Sequence, residues 1–193
     1  MKTKFKLFNF LGIPVNLNIL FLALFLFLPV GVAVSVFISV LIHEMAHAYI
    51  AQRKGYSVYG IEIGLFNGSA AIDTNIHERD SIPVTAAGPI SNLLLLMLSG
   101  LFYLLIANPS GPTVEFLENF MYVNLFLFLF NILPIYPMDG GRILKDYLLI
   151  KNRRTANKIT NKVSLVFSSL LIIVSLMYGY LFMAIFGLFF AYT

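Results

Sequence analysis

Polar positions are so sparse along this chain that they delimit its elements. After a short start in which Lys2, Lys4 and Lys6 alternate with other residues, an apolar run extends from about Leu17 to Val30. A second runs from Gly31 to about Ile50 and closes on Gln52-Arg53-Lys54-Gly55. A third covers Ile82 to Ile106, and a fourth, dense in Phe and Leu, covers Val114 to about Leu133. Apolar stretches with so few charged residues predict helices that cross a bilayer. The last tract, Val163 to Ala191, would be about 43 Å long as one helix against a hydrocarbon core of about 30 Å. Two spans with a turn near Gly179 fit it better than one, so six spans are expected and five remain open. The basic head and apolar core at the amino terminus also suit a signal peptide. An uncleaved first span is preferred, because its apolar run continues almost directly into the second.

The connecting segments carry their own patterns. Between the second and third spans, Ile61-Glu62-Ile63 alternates, and Gly60, Gly64, Asn67 and Gly68 punctuate it. Short strands with turns are expected there, as a small hairpin or sheet. Pro89, in Ala86-Ala87-Gly88-Pro89, should bend or break the start of the third span. Asn108 to Pro112 is a turn. Asn131 to Gly141 has two prolines and two glycines within an apolar context, so its backbone is irregular. At membrane depth that is tolerated only where the segment is buried in protein or lines a wet cavity. A helix should resume over Gly141 to Ile150, with a basic connector from Lys151 to Lys162.

Composition agrees with the pattern. Of 193 residues, 59% are hydrophobic and 11% charged, and the mean hydropathy is +0.86, whereas a soluble domain carries about a quarter charged residues. The fold class expected is an all-α polytopic membrane protein with the small β element between its second and third helices. The net charge of +4 is spread over connecting segments, with no basic stripe of the kind that binds nucleic acid. Its distribution sets orientation. Basic residues precede the first span, follow the second and follow the fourth, while the short connections after the first and third have none. With the amino terminus in the cytoplasm, every cluster falls on the cytoplasmic side of a cell membrane.

Chemistry enters at His43-Glu44-Met45-Ala46-His47, an H-E-x-x-H near the end of the second run. Four residues of helix bring both imidazoles onto one face, where they can share a metal ion. Glu44 is then placed to polarise a bound water rather than to ligate. The chain has three histidines and no cysteine, and His77 lies in a solvated charge cluster, so the third ligand should be a carboxylate. Asp139 is the candidate: it lies in the irregular segment, three residues before Arg142, while His47 lies six before Arg53. Both are therefore expected toward the cytoplasmic face. A turn-forming Asp before Gly is the plainer alternative for Asp139.

H-E-M-A-H in one span, followed by N-I-L-P-I-Y-P-M-D-G-G in a later one, resembles the site-2 protease family of intramembrane zinc metalloproteases. The phrase L-P-I-Y-P-M-D-G-G is most similar to the stage IV sporulation protein FB branch. The resemblance covers about His43 to Arg142, and the pattern N-x-x-P-x-x-x-x-D-G falls on Asn131, Pro134, Asp139 and Gly140. It implies His43, His47 and Asp139 as ligands of one Zn2+ and Glu44 as general base. It also implies a substrate or transition-state contact for Asn131, with Asn92 a weaker candidate. That branch carries a carboxy-terminal CBS domain, whereas this sequence stops at Thr193 in an apolar tract, so nucleotide regulation of that kind is not expected.

The expected activity is hydrolysis of peptide bonds within or near transmembrane segments, as in regulated intramembrane proteolysis. A helical substrate must be unwound to expose its carbonyls, and an edge strand within Gly60 to Ile72, with Gly64 and Phe66 as contacts, could receive it. The resemblance implies transcription-factor precursors, anti-sigma factors or signal peptides as substrates; an oligomer is left open. The chain is expected to be one membrane domain over 1–193: a first span (1–30), a catalytic core (31–150) and carboxy-terminal spans (151–193). A transporter using His and Asp as an ion pathway is the main alternative, but it leaves Glu44 without a role. A catalytically inactive relative ranks below it.

Overall fold

The computed structural model describes residues 4–64, 68–73, 75–106, 110–179 and 187–188. They form two compact units. The first comprises Met1–Ile76 and Ala87–Phe128, the second His77–Ala86 and Leu129–Thr193.

The amino terminus departs from the expected first span. Strands β1 (Lys4–Phe10) and β2 (Ile13–Asn18) form an antiparallel hairpin, and a 3-10 turn (Ile19–Ala23) and a short helix α1 (Leu24–Phe27) follow. Leu11 and Gly12 both have positive φ, 49° and 83°, as a two-residue turn matching the twist of its strands requires. Ile13, Val15 and Leu17 alternate with Pro14, Asn16 and Asn18, and only the apolar set is buried. That period of two, not the apolar content, decided the structure. The region from Leu17 to Val30 is therefore not one helix.

The expected β element is present and larger than predicted. Strands β3 (Val58–Ile63) and β4 (Gly68–Ile72) pair antiparallel, and β3 also lies parallel to β2, giving a sheet ordered β1-β2-β3-β4. Ile13, Val15, Leu17, Ile61 and Ile63 make its buried face, joined by Phe21 of the 3-10 turn. That face packs on Val36, Phe37, Val40, Leu41, Met45 and Ala48 of helix α2 (Val30–Arg53). Each fully buried Ile, Leu or Phe contributes about 1.5–3 kcal/mol, so this cluster anchors α2 firmly.

Four described helices are long and apolar enough to cross a membrane: α2, α3 (Glu78–Leu105), α4 (Pro112–Asn131) and α6 (Arg153–Met177). The protein is a multi-pass membrane protein, mostly helical with a small sheet. Helix α3 continues through Pro89 rather than breaking there. In the second unit, α5 (Asp139–Lys151) packs against α6. The expected basic connector is instead largely the first turns of α6, whose start is capped by Asn152 accepting from the Arg154 N–H at 3.1 Å. Nearly all of the sixth span expected beyond Gly179 lies outside the described residues.

Candidate metal centre

Helix α2 carries two stripes. One, running through Phe37, Leu41, Met45 and Ala48, meets the sheet. The other is small and polar: Ser35, Ser39, His43, His47 and Ala51 follow at intervals of four, and all are buried. Four-residue steps keep these side chains in one row.

His43, Glu44 and His47 are 7%, 6% and 8% exposed, and one ligand atom from each lies within 4.8 Å of the others. The two imidazole rings stand 4.7 Å apart, nearly perpendicular at 84°. Gly88, in α3, faces their open side: a carbon attached to it would overlap the Nε2 atoms of both rings. The two ring nitrogens thus converge on a small space that the missing side chain keeps open. Two converging imidazole nitrogens, with a carboxylate beside them able to hold a water, are chemistry that suits zinc. The group can hold a metal ion, and it fits.

Behind His43 the polar stripe is supported from α3 and α4. The Nδ1 of His43 is 2.5 Å from Oδ1 of Asn92. Asn92 donates to Oδ1 of Asn124 at 3.0 Å, and Asn124 donates to Ser39 Oγ at 2.9 Å and to the Phe120 carbonyl at 2.8 Å. Asn92 and Asn124 are both fully buried. Asn92 is marked by the family resemblance, whereas nothing in the sequence marks Asn124 or Ser39: a lone Asn or Ser in an apolar helix carries no motif.

The remaining candidates belong to other parts of the molecule. Asp139 is in the second unit, buried, in the first turn of α5. Its neighbours explain the Asp-Gly-Gly sequence. A carbon on Gly140 would collide with the carbonyls of Ile132 and Leu133, and one on Gly141 with the backbone of Ile135 and Tyr136. The glycines allow the chain to fold back on itself, with Ile135 and Met138 buried within the turn-rich stretch. Tyr136 donates its N–H to Ser164 of α6 at 2.9 Å. Asn131 is the last residue of α4 and is half-buried. Gly64 follows β3, and Phe66 lies outside the described residues. His77 is exposed ahead of α3, where its Nδ1 accepts from the Arg79 N–H at 3.2 Å.

Buried metal-ligand chemistry on a membrane-length helix defines a class, the membrane metalloproteins of the H-E-x-x-H kind, and comparison with known proteins narrows it. The family model described as peptidase family M50 matches residues 107–175. A zinc metalloprotease of Methanocaldococcus jannaschii is 30% identical over 186 residues, covering 86% of this chain and 53% of the relative. Stage IV sporulation protein FB of Bacillus subtilis is 28% identical over 137 residues, covering 68% of this chain and 46% of the relative. The chain thus spans about half the length of these relatives. A solved site-2 protease from Methanocaldococcus jannaschii superposes with a TM-score of 0.72 at 24% identity, covering 98% of this chain and 92% of that one. The chain has the site-2 protease fold, and its resemblance to that family is borne out by sequence and structure alike. The transporter alternative finds no support in these matches.

Proposed function

We propose that the chain is an intramembrane zinc endopeptidase that cleaves peptide bonds within or near the membrane-spanning segments of its substrates. The observation that carries this reading is the convergence of two imidazoles and a carboxylate on one turn of a membrane-length helix, before a space kept open by Gly88.

In this reading His43 and His47 hold zinc by their Nε2 atoms, and Asp139 is the third ligand. Asp139 is favoured by its place in N-x-x-P-x-x-x-x-D-G, by its burial and by the need for a carboxylate in a chain without cysteine. Bound zinc would supply Lewis acidity, lowering the pKa of water to about 7 and polarising the scissile carbonyl. Glu44 takes the proton of the attacking water and returns it to the leaving amine. Asn131 contacts the substrate near the scissile bond. The site's entrance faces the cytoplasm, as Arg53 and Lys54 at the end of α2 suggest.

Substrates are membrane-embedded or membrane-associated polypeptides presented in extended form. Among the described residues β4 has a neighbour on one side only, which leaves an edge able to pair with such a segment. Gly64, which follows β3, is proposed as a contact, and so is Phe66, which lies outside the described residues.

The test is Glu44→Gln beside wild type on a candidate membrane substrate. The variant should keep about one zinc per chain and lose cleavage, as expected of a base outside the ligand set. Asp139→Asn should lose zinc. Undiminished cleavage by Glu44→Gln would remove the proposed chemistry, and full zinc occupancy in Asp139→Asn would remove that residue from the ligand set.

A further inference from the structure

Three buried side chains behind the metal centre, Ser39, Asn124 and Asn92, form with His43 a hydrogen-bonded series whose direction can be read. It begins at the Phe120 carbonyl, which can only accept. The atom of Asn124 that meets it, and that also meets Ser39 Oγ, must therefore be the amide nitrogen. The other end of Asn124 is then its oxygen, so the Asn92 atom facing it at 3.0 Å is the Asn92 amide nitrogen. This leaves the Asn92 oxygen against His43 Nδ1 at 2.5 Å, and an oxygen acceptor there requires a proton on Nδ1. In the neutral ring Nε2 is then unprotonated, with its lone pair on the side where Gly88 leaves room.

We propose that Asn92 is a positioning residue that holds His43 in its ligand-competent tautomer, and that Asn124 and Ser39 act through it. This replaces a substrate contact for Asn92, because both ends of its amide are already committed within the protein interior. A carbonyl in α4 thus determines, three hydrogen bonds away, which nitrogen of a ring in α2 carries the proton. A partner of this kind also fixes ring orientation, and its loss commonly lowers metal affinity 10–100-fold. The role in zinc binding rests on the proposed function; the tautomer itself does not.

The experiment uses the full chain labelled with 15N-histidine in detergent. Only three histidines are present, so the signals can be assigned with His47→Gln and His77→Gln. Metal-free protein at about pH 8.5 should show His43 protonated on Nδ1. Asn92→Leu should shift His43 toward the Nε2–H form that prevails in free imidazole side chains. It should also weaken zinc about 10–100-fold in chelator competition. Asn92→Asp, which keeps an acceptor oxygen, should preserve the tautomer. Asn124→Leu, which touches neither histidine, should give a smaller shift in the same direction and serves if Asn92→Leu does not fold. Wild-type His43 protonated on Nε2 would overturn the proposal, and so would a folded Asn92→Leu with unchanged tautomer and zinc affinity. Wild type that shows the Nδ1–H tautomer but fails to bind zinc would instead count against the metal reading alone.

Discussion

A methyl group at position 88 would stand where both imidazoles of the metal centre point. Gly88 is thus required by close approach, not by backbone freedom. Gly88→Ala should force one ring off its position, at the roughly 1–3 kcal/mol typical of overpacking, and weaken zinc about 10–100-fold. Chelator competition measures this, and unchanged affinity would show that the rings can swing aside. Asp146, on α5 outside the apolar spans, is a second residue-scale case. Burial pushes its carboxyl above the ordinary range. The Ser81 hydrogen bond, Arg142 and Lys145 oppose the shift, and Glu78 adds to it. A carboxyl raised in the folded state favours folding below the ordinary pKa of about 3.9, and that contribution is lost as pH rises through the folded value. Asp146→Asn should therefore be as stable as wild type or slightly more stable at pH 7. The gain should stay under about 1 kcal/mol, because solvent screens a half-buried site. Thermal unfolding in detergent across pH 4 to 7 checks the sign, and a variant clearly less stable at pH 7 would refute it.

Among the elements, α2 carries the chemistry because its two stripes serve different partners. The apolar stripe is held on the sheet by Ile61, Ile63, Val15 and Leu17, so the histidine row is aimed by packing as well as by helical period. The sheet also decides which strand can receive a substrate. Ile63, in the alternating Ile61-Glu62-Ile63 segment, is fully buried in β3, which is paired on both sides. Proline there would damage the core rather than probe recognition. Ala71, exposed in β4, is the better position. Ala71→Pro should slow cleavage several-fold while leaving zinc content unchanged, since proline removes one backbone donor and disfavours an added strand. Equal rates for wild type and variant would remove edge pairing from the mechanism.

At the scale of the whole molecule, topology and depth of cleavage are linked through the basic residues. The absence of cysteine allows single labelling sites to be introduced. Asn152 caps α6 and is best left alone, whereas Asn157 is exposed in the same basic turn region. Asn157→Cys should resist an impermeant thiol reagent in intact cells and react once the membrane is opened; labelling in intact cells would invert the orientation. With the cytoplasmic assignment, the cut should fall toward the cytoplasmic end of the substrate's span, near residues that weaken a helix. Replacing Gly, Asn or Pro there with Leu should slow cleavage, because unwinding a strong helix in lipid exposes unpaired backbone groups. Product ends mapped by mass spectrometry test both points.

H-E-x-x-H, the later Asp-Gly-Gly and the long apolar runs were legible in the sequence because each depends on local spacing. A four-residue step aligns two histidines wherever a helix forms, and an uncharged run of sufficient length crosses lipid whatever its neighbours. The strand signal around Ile61-Glu62-Ile63 was legible on the same terms. The hairpin at the amino terminus was written just as locally, in the alternation from Ile13 to Asn18. Its apolar neighbours from Ile19 to Val30 outweighed it, and its turn uses Leu11 at positive φ where Asn or Gly would have signalled one. Other features had no local signature at all. That β2 lies parallel beside β3, and that Gly88 leaves open the space before two rings of α2, are facts about residues far apart in sequence. The same holds for Asn124, on α4, which sets the orientation of Asn92 on α3. Such contacts depend on which faces meet in three dimensions, and a buried asparagine reads the same in sequence whether it supports a ligand or merely fills a helix. Spacing along one helix determined that His43 and His47 share one face of α2; only the packing of α3 and α4 against it decided which nitrogen of His43 meets Asn92.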